Sequence, residues 1–168
     1  MTKEIYLAGG RFWGTQHYLR QIRGVLSTTT GYANGHTDRP SYEEVYTDTT
    51  GYAETVQVVY DDAVLNTERL IELYFKAIDP TSLNRQGNDR GTRYRTGIYL
   101  VHPEDEVVAK RLLAEEQTKY PIPLQVEIEM LHNFYPAEEY HQDYLQKHPD
   151  GYCHLPIELF AYAKEANR

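Results

Sequence analysis

A glutamate on the apolar face of a predicted strand is the first candidate for proton chemistry. In residues 53–60, Glu54 shares one face with Val56, Val58 and Tyr60, because side chains alternate along a strand. A carboxyl group buried in this way has a raised pKa and stays protonated near neutral pH, which suits a general acid. The alternative is a glutamate at the strand end that reaches solvent past the edge of the core.

A Gly9-Gly10 turn before a predicted helix is the second candidate site. Free backbone N–H groups and the positive end of the helix dipole would meet a ligand there. Residue 11 is expected in the first helical turn, where a thiol would be activated, but the chain has Arg11. Its charge opposes the dipole by about 0.3 to 1 kcal/mol unless an acid compensates. Phe12 and Trp13, taken alone, fit a core as well as a ligand wall.

The chain has a single cysteine, Cys153, which limits the thiol and metal chemistry that is possible within it. One cysteine in 168 residues excludes an internal disulfide and a zinc site with two or four cysteines. His141, His148 and His154 accompany Cys153 near the end, but their spacings match no closed zinc signature. We therefore expect neither a metal site nor a cofactor.

The charge is mildly acidic, which argues against a nucleic-acid partner. With 17 basic and 25 acidic residues the net charge is −8, opposite in sign to a nucleic-acid-binding surface. The first residues carry charges where a secretory signal needs an apolar run, and no segment is long and apolar enough to span a bilayer. We expect a cytoplasmic protein with no membrane partner.

Strand and helix patterns alternate along the chain and must position these groups. Strands are predicted over residues 3–8, 25–30, 53–60, 96–101 and 124–130, and helices over residues 12–22, 66–79, 103–119 and 136–147. Polar loops cover residues 31–52 and 81–93, and the tail from residue 148 has no clear element except 157–164. This order predicts an α+β two-layer sandwich, with a mixed or antiparallel sheet, helices mainly on one face and a ferredoxin-like, split βαβ arrangement. We expect one domain over residues 1–168, with residues 148–168 as a tail that carries Cys153.

Seven ordered motifs together indicate a family. The chain resembles the A-type peptide methionine sulfoxide reductases over nearly its whole length. The motifs are Gly9-Gly10-x-Phe12-Trp13-Gly14, Gly31-Tyr32-Ala33-Asn34-Gly35, Tyr42-Glu43-Glu44-Val45, Thr50-Gly51-x-Ala53-Glu54, Arg85-Gln86-Gly87-Asn88-Asp89-x-Gly91-Thr92-x-Tyr94-Arg95, Phe134-Tyr135-x-Ala137-Glu138-x-Tyr140-His141-Gln142 and Gly151-Tyr152-Cys153. Their order and spacing are far more specific than any one of them.

The resemblance implies a reaction at sulfur. In the family, a cysteine at the start of a helix attacks the sulfur of methionine sulfoxide, and a glutamate matching Glu54 protonates the sulfoxide oxygen. Tyrosines matching Tyr42 and Tyr94 hydrogen-bond that oxygen, and an aspartate matching Asp89 helps to organise the site.

The resemblance also implies a substrate wall and a route of reduction. Phe12 and Trp13 match the aromatic wall that holds the methyl group of the substrate. Cys153 matches a cysteine that resolves the resulting sulfenic acid as a disulfide, which thioredoxin then reduces. The expected partners are thus methionine sulfoxide, free or in proteins, and thioredoxin.

Arg11 stands where the family has its nucleophile. A guanidinium group stays protonated and has no free lone pair, so it cannot attack sulfur. We also expect Arg11 to form an ion pair with Glu54, which would keep the glutamate ionised. Three hypotheses follow: a reductase scaffold with a retained pocket and absent or very weak turnover, a binding protein for methionine sulfoxide or a protein partner, or an active reductase in which residue 11 is engineered or misrecorded.

Overall fold

The computed structural model describes residues 1–167 and contains a six-stranded sheet with a small separate hairpin. The strands are β1 (Thr2–Ala8), β2 (Val25–Ala33), β3 (Ala53–Asp61), β4 (Arg85–Gln86), β5 (Asp89–Arg90), β6 (Gly97–Leu100), β7 (Glu127–Met130) and β8 (Phe134–Pro136). The order in the large sheet is β7-β6-β1-β3-β2-β8, and β4 pairs with β5.

The strand directions confirm the split βαβ arrangement. Strand β3 lies between β1 and β2 and is antiparallel to both, so β1 and β2 run in the same direction. Strand β6 is antiparallel to β1, and β7 is parallel to β6, which makes the sheet mixed as expected. The ends of β1 and β3 meet at Ala8 and Thr55, and this pairing brings the Gly9-Gly10 turn beside Glu54.

Helices cover one face of the sheet. They are α1 (Phe12–Leu19), α2 (Tyr42–Tyr46), α3 (Thr67–Lys76), α4 (Pro103–Gln117), α5 (Tyr144–Lys147) and α6 (Glu158–Ala166). The main core joins Leu7 and Val56 of the sheet to Tyr18, Leu70 and Leu112 of the helices. Among residues 1–167 no helix is long and apolar enough to cross a membrane.

The predicted helix over residues 136–147 is wrong. The chain there forms β8, a 3₁₀ turn at Glu139–His141 and only the single helical turn of α5. Pro136 pairs with Gly31 at the sheet edge, and Asp143 adopts a left-handed backbone with φ 53°, which interrupts a right-handed helix. Gln142 is held by the sheet, since its side chain accepts from the Thr30 amide at 2.9 Å.

Two other segments differ from the prediction: one contains more regular structure than expected and one contains less. The loop over residues 31–52 holds α2, whose start is fixed by a capping box between Ser41 and Glu44. The strand predicted over residues 124–130 begins only at Glu127, because the Leu124 amide donates to the side chain of Gln117. The element predicted over residues 157–164 of the tail is present as α6, which buries Ala163 against the core.

Candidate active site

Arg11 lies at the join between β1 and α1. Gly10 has φ +80°, and a Cβ there would lie 2.7 Å from Nε2 of His154, so the turn requires glycine. Arg11 itself has extended backbone angles and occupies the N-cap of α1, one position earlier than the sequence predicts. Its backbone therefore stands at the positive end of the helix, while its side chain extends into a polar cluster.

The Arg11 guanidinium is bound on two sides by polar groups. Nη1 donates to the Tyr42 hydroxyl at 2.9 Å, and Nη2 lies 3.4 Å from Oδ1 of Asp89. The same Asp89 oxygen accepts from the Tyr152 hydroxyl at 3.0 Å. Three rings surround the cation at 5.1 to 5.4 Å from their centroids, those of Trp13, Tyr94 and Tyr152. The side chain is only 15% exposed, so it points into the protein rather than into solvent.

Glu54 is buried, as the strand pattern predicts, with 1% of its surface exposed. Oε1 accepts from the Phe12 amide at 3.0 Å, whereas Oε2 is buried without a partner among residues 1–167. Burial raises the pKa of Glu54 to about 8, although the Phe12 amide and the charge of Arg11 oppose this shift. The carboxyl group is therefore protonated at neutral pH and has a proton to donate.

The expected ion pair between Arg11 and Glu54 is wrong. The guanidinium pairs with Asp89, while Glu54 binds the first amide of α1. The physical reason is the position of the start of α1. It directs the free N–H of Phe12 toward Glu54, and the long side chain of Arg11 extends past this contact to Asp89. Compensation for the charge of Arg11 thus comes from the β5 strand of the small hairpin and not from β3.

The two aromatic residues after Arg11 are not equivalent. Phe12 is fully buried and belongs to the core, with its ring 5.7 Å from that of Tyr32. Trp13 is partly exposed and stacks on Tyr144 with ring centroids 3.8 Å apart. Its indole N–H donates to Nδ1 of His141 at 3.0 Å, which fixes the plane of the ring beside Arg11.

The start of α2 positions Tyr42. The carboxylate of Glu138 accepts from the Tyr42 amide at 3.0 Å and from the Tyr32 hydroxyl at 2.8 Å. Burial favours the neutral form of Glu138, but these hydrogen bonds outweigh burial and lower its pKa, so the carboxylate stays ionised. Tyr94 enters from the 3₁₀ turn Thr92–Tyr94 and is 1% exposed, with its hydroxyl unpartnered within residues 1–167. An unpartnered buried hydroxyl is suited to binding a ligand atom.

Cys153 lies beside α1 but outside the Arg11 cluster, the group of side chains around the guanidinium formed by Trp13, Tyr42, Asp89, Tyr94 and Tyr152. Gly14 of α1 lies close to the cysteine, since a Cβ atom added to this glycine would be 3.0 Å from the sulfur. The sulfur accepts a hydrogen bond from the Leu155 amide at 3.4 Å. Burial raises the pKa of the thiol, so the thiol is protonated at neutral pH. It lines a cavity of about 490 Å³ between α5 and α6, whose wall includes His17 and Phe160.

The histidines near the end of the chain are dispersed. His141 binds Trp13, and Nε2 of His154 lies 3.1 Å from the Gly9 carbonyl. His148 packs its ring 4.7 Å from that of Tyr144. Within residues 1–167 no three histidine, cysteine, aspartate or glutamate side chains are grouped so that they would hold a metal ion.

Sequence reasoning missed the supporting roles of Tyr152, His141 and Glu138. Each of them lies within one of the seven family motifs, and the high tyrosine count, 16 of 168 residues, is a further signal. No local pattern shows which partner each one contacts. Tyr152 and Asp89, for example, are 63 positions apart in the chain.

Comparison with known proteins connects this geometry to one family. Residues 3–167 match the family model described as peptide methionine sulfoxide reductase. A relative from Clostridium acetobutylicum named peptide methionine sulfoxide reductase MsrA is 55% identical over 157 residues, which cover 94% of this chain and 97% of the relative. A protein of the same name from Lachnoclostridium phytofermentans is 52% identical, over 99% of this chain and all of the relative.

Solved structures show the same fold. Mxr1 from Saccharomyces cerevisiae in reduced form superposes with a TM-score of 0.86 at 39% identity, covering 90% of this chain and 88% of that one. Methionine sulfoxide reductase A of Corynebacterium diphtheriae gives a TM-score of 0.88 at 35% identity, covering 90% and 77%. Mxr1 in complex with Trx2 is also similar, with a TM-score of 0.62 at 28% identity over 85% and 84% of the two chains.

Proposed function

The chain belongs to the peptide methionine sulfoxide reductase family, and from that premise we propose that its site still receives methionine sulfoxide while turnover is absent or very weak. The observation that carries the proposal is the position of the Arg11 guanidinium, 2.9 Å from the Tyr42 hydroxyl and 3.4 Å from Asp89. A group with no nucleophilic lone pair occupies the place of the family's attacking thiol.

Hydrogen-bond donors around Arg11 support substrate binding. A sulfoxide oxygen carries partial negative charge and accepts hydrogen bonds from preorganised donors. Glu54, with a pKa of about 8, supplies an acidic O–H, and the Tyr94 hydroxyl is buried and unpartnered among residues 1–167. The Trp13 ring, held by His141, provides an apolar wall for the methyl group.

The remaining thiol explains why we expect very weak turnover and no more. Cys153 has a raised pKa because it is buried, and it contacts Gly14 beside a separate cavity. A protonated thiol is a poor nucleophile, since the thiolate is the reactive form. We infer that Cys153 corresponds to the family's resolving position and that thioredoxin or another external dithiol is the reductant.

Arg11→Cys is the decisive substitution for this proposal. The new thiolate would attack the sulfoxide sulfur while Glu54 protonates the oxygen, which gives methionine and a sulfenic acid. The Cys153 thiol would then attack the sulfenic sulfur, releasing water and forming a disulfide that a dithiol reduces.

The experiment measures reduction of a methyl sulfoxide with dithiothreitol. We expect Arg11→Cys to gain at least about 100-fold in rate over the parent chain, whereas Arg11→Ala stays at the level of the parent because it removes the guanidinium without adding a nucleophile. If Arg11→Cys gains no activity, the claim that the rest of the site is intact is refuted.

A second candidate is a protein that binds methionine sulfoxide, or a partner that contains it, without reducing it. The protonated guanidinium supports this alternative, because it is a permanent donor beside the aromatic wall. The test is the affinity of the unaltered chain for an oxidised peptide and for its unoxidised form. Equal affinities would contradict both this candidate and retained substrate recognition.

The wider setting is also part of the proposal. We infer that residues 1–168 act as one domain and that the protein is cytoplasmic, where a lone thiol stays reduced. Sequencing of the source gene distinguishes a natural Arg11 from an engineered or misrecorded residue.

A further inference from the structure

A groove lined by tyrosines opens next to the Arg11 cluster. It has a volume of about 350 Å³ and is formed by Tyr42, Glu43, Tyr46 and Tyr140. Tyr46 and Tyr140 are 50% and 53% exposed, so the groove presents aromatic surface to solvent.

Packing holds these rings in place. Tyr42 and Tyr46 are four residues apart on α2, with ring centroids separated by 5.8 Å. The His141 ring lies between Tyr42 and Tyr140, at 4.4 Å and 4.0 Å from their centroids. Burial lowers the pKa of His141, so this ring is neutral near pH 7 and adds no positive charge behind the groove.

The charge at the groove is negative. Glu43 is exposed, and among residues 1–167 no hydrogen bond or ion pair engages its carboxylate. The cations near the groove are compensated, since Arg11 pairs with Asp89 and Arg93 pairs with Asp48. Aromatic faces together with an unpaired carboxylate are suited to binding a cation.

Tyr46 already binds a cation within the protein. The guanidinium of Arg93 lies 4.1 Å from the centroid of its ring. About half of the Tyr46 surface remains exposed, and the residue lines the groove, so a second cation has access to the lining.

We propose that this tyrosine groove binds the side chain of a lysine or arginine that neighbours methionine sulfoxide in a peptide substrate. The proposal rests on the proposed function and adds a preference among peptides. Tyr42 belongs to both places, because its hydroxyl bonds to Arg11 and its ring lines the groove. Consecutive Cα atoms are about 3.8 Å apart, and Arg11 contacts Tyr42 directly, so the groove is within reach of a side chain that neighbours a sulfoxide bound at Arg11.

The test compares three capped tripeptides in which lysine, norleucine or glutamate flanks methionine sulfoxide on both sides. Affinity is measured by calorimetry with the unaltered chain, and kcat/KM with Arg11→Cys. We expect the lysine peptide to be favoured about threefold to tenfold over the norleucine peptide and the glutamate peptide to be the weakest.

Matched variants test whether the groove is the source of the preference for the lysine peptide. Glu43→Gln and Tyr140→Ala are expected to reduce the lysine advantage to less than twofold. Glu104→Gln changes an exposed glutamate in the first turn of α4, and Tyr162→Ala an exposed tyrosine of α6, and both are expected to retain it. Circular dichroism establishes that each variant is folded.

The outcomes separate the two proposals. Equal affinities and equal kcat/KM for all three oxidised peptides would overturn the groove while leaving the proposed function standing. A lysine preference that survives both Glu43→Gln and Tyr140→Ala would also overturn it. If no oxidised peptide binds and Arg11→Cys is inactive, the proposed function fails and the groove proposal fails with it.

Discussion

The buried carboxyl group of Glu54 makes a specific contribution to the pH dependence of stability. Its pKa is raised from 4.5 to about 8 because it is buried with one oxygen unpartnered among residues 1–167. Between these pH values the folded protein holds a proton that the unfolded chain has released. Raising the pH through this window therefore costs stability, and Glu54→Gln, which cannot ionise, is expected to abolish that cost.

The magnitude follows from the shift in pKa. One bound proton changes the free energy of unfolding by about 1.4 kcal/mol per pH unit. The contribution of Glu54 is fully present below pH 4.5 and is lost as the pH rises through about 8. The total is roughly 5 kcal/mol, a large part of the 5 to 15 kcal/mol typical of a folded domain.

The assay is urea unfolding of the parent chain and Glu54→Gln at several pH values from 5 to 9. The stability of the variant minus that of the parent is expected to increase by roughly 4 kcal/mol between pH 5 and pH 8. The amide oxygen of glutamine can still accept from the Phe12 N–H, and any cost of the extra NH₂ group shifts the difference equally at every pH. The exposed control Glu104→Gln is expected to follow the parent. A difference that stays constant across this range would refute the assignment of a protonated, buried Glu54.

Three further substitutions test the site and the core. In the Arg11→Cys background, adding Glu54→Gln is expected to lower kcat by 100-fold or more, because the proton donor to the sulfoxide oxygen is lost. In the same background, Cys153→Ser is expected to retain turnover with dithiothreitol and lose it with thioredoxin, since no internal disulfide can form; mass spectrometry under oxidation checks this. Tyr74→Phe removes a buried hydroxyl that accepts from the Gly97 amide at 3.1 Å, and chemical unfolding is expected to show a loss of about 1 to 3 kcal/mol.

A specific result would contradict each of these three predictions. An unchanged kcat after Glu54→Gln would show that another group donates the proton to the sulfoxide oxygen. Full thioredoxin-dependent turnover of the Cys153→Ser variant would show that the Cys153 thiol is not needed for reduction by thioredoxin. For Tyr74→Phe the control is Tyr162→Phe on the surface, and equal losses from both would show that burial of the hydroxyl does not matter.

Local patterns predict the regular elements well where periodicity is strong. The start of α3 follows from Asn66, whose side chain accepts from the Arg69 amide, and that of α4 from Pro103 at its first turn. The helix predicted over residues 136–147 fails because Pro136 and Gln142 bind β2 at the edge of the sheet. Contacts with distant strands override local helix propensity there.

The site is predicted in its parts and not in its connections. The strand pattern correctly puts Glu54 on the buried face, since alternation along a strand is a local property. The partner of Arg11 is predicted wrongly, because Asp89 lies 78 positions away on a small hairpin. Nothing in the sequence near either residue encodes their distance.

The sequence by itself determines the chemical groups that the protein has. It fixes a guanidinium at position 11, one thiol at position 153 and a glutamate on the apolar side of a strand, because identity and alternation are local. Only the tertiary structure decides what those groups do to one another. It brings Arg11 to Asp89, leaves Glu54 protonated at the helix start and sets Cys153 against Gly14, because these arrangements depend on packing between elements that are distant along the chain.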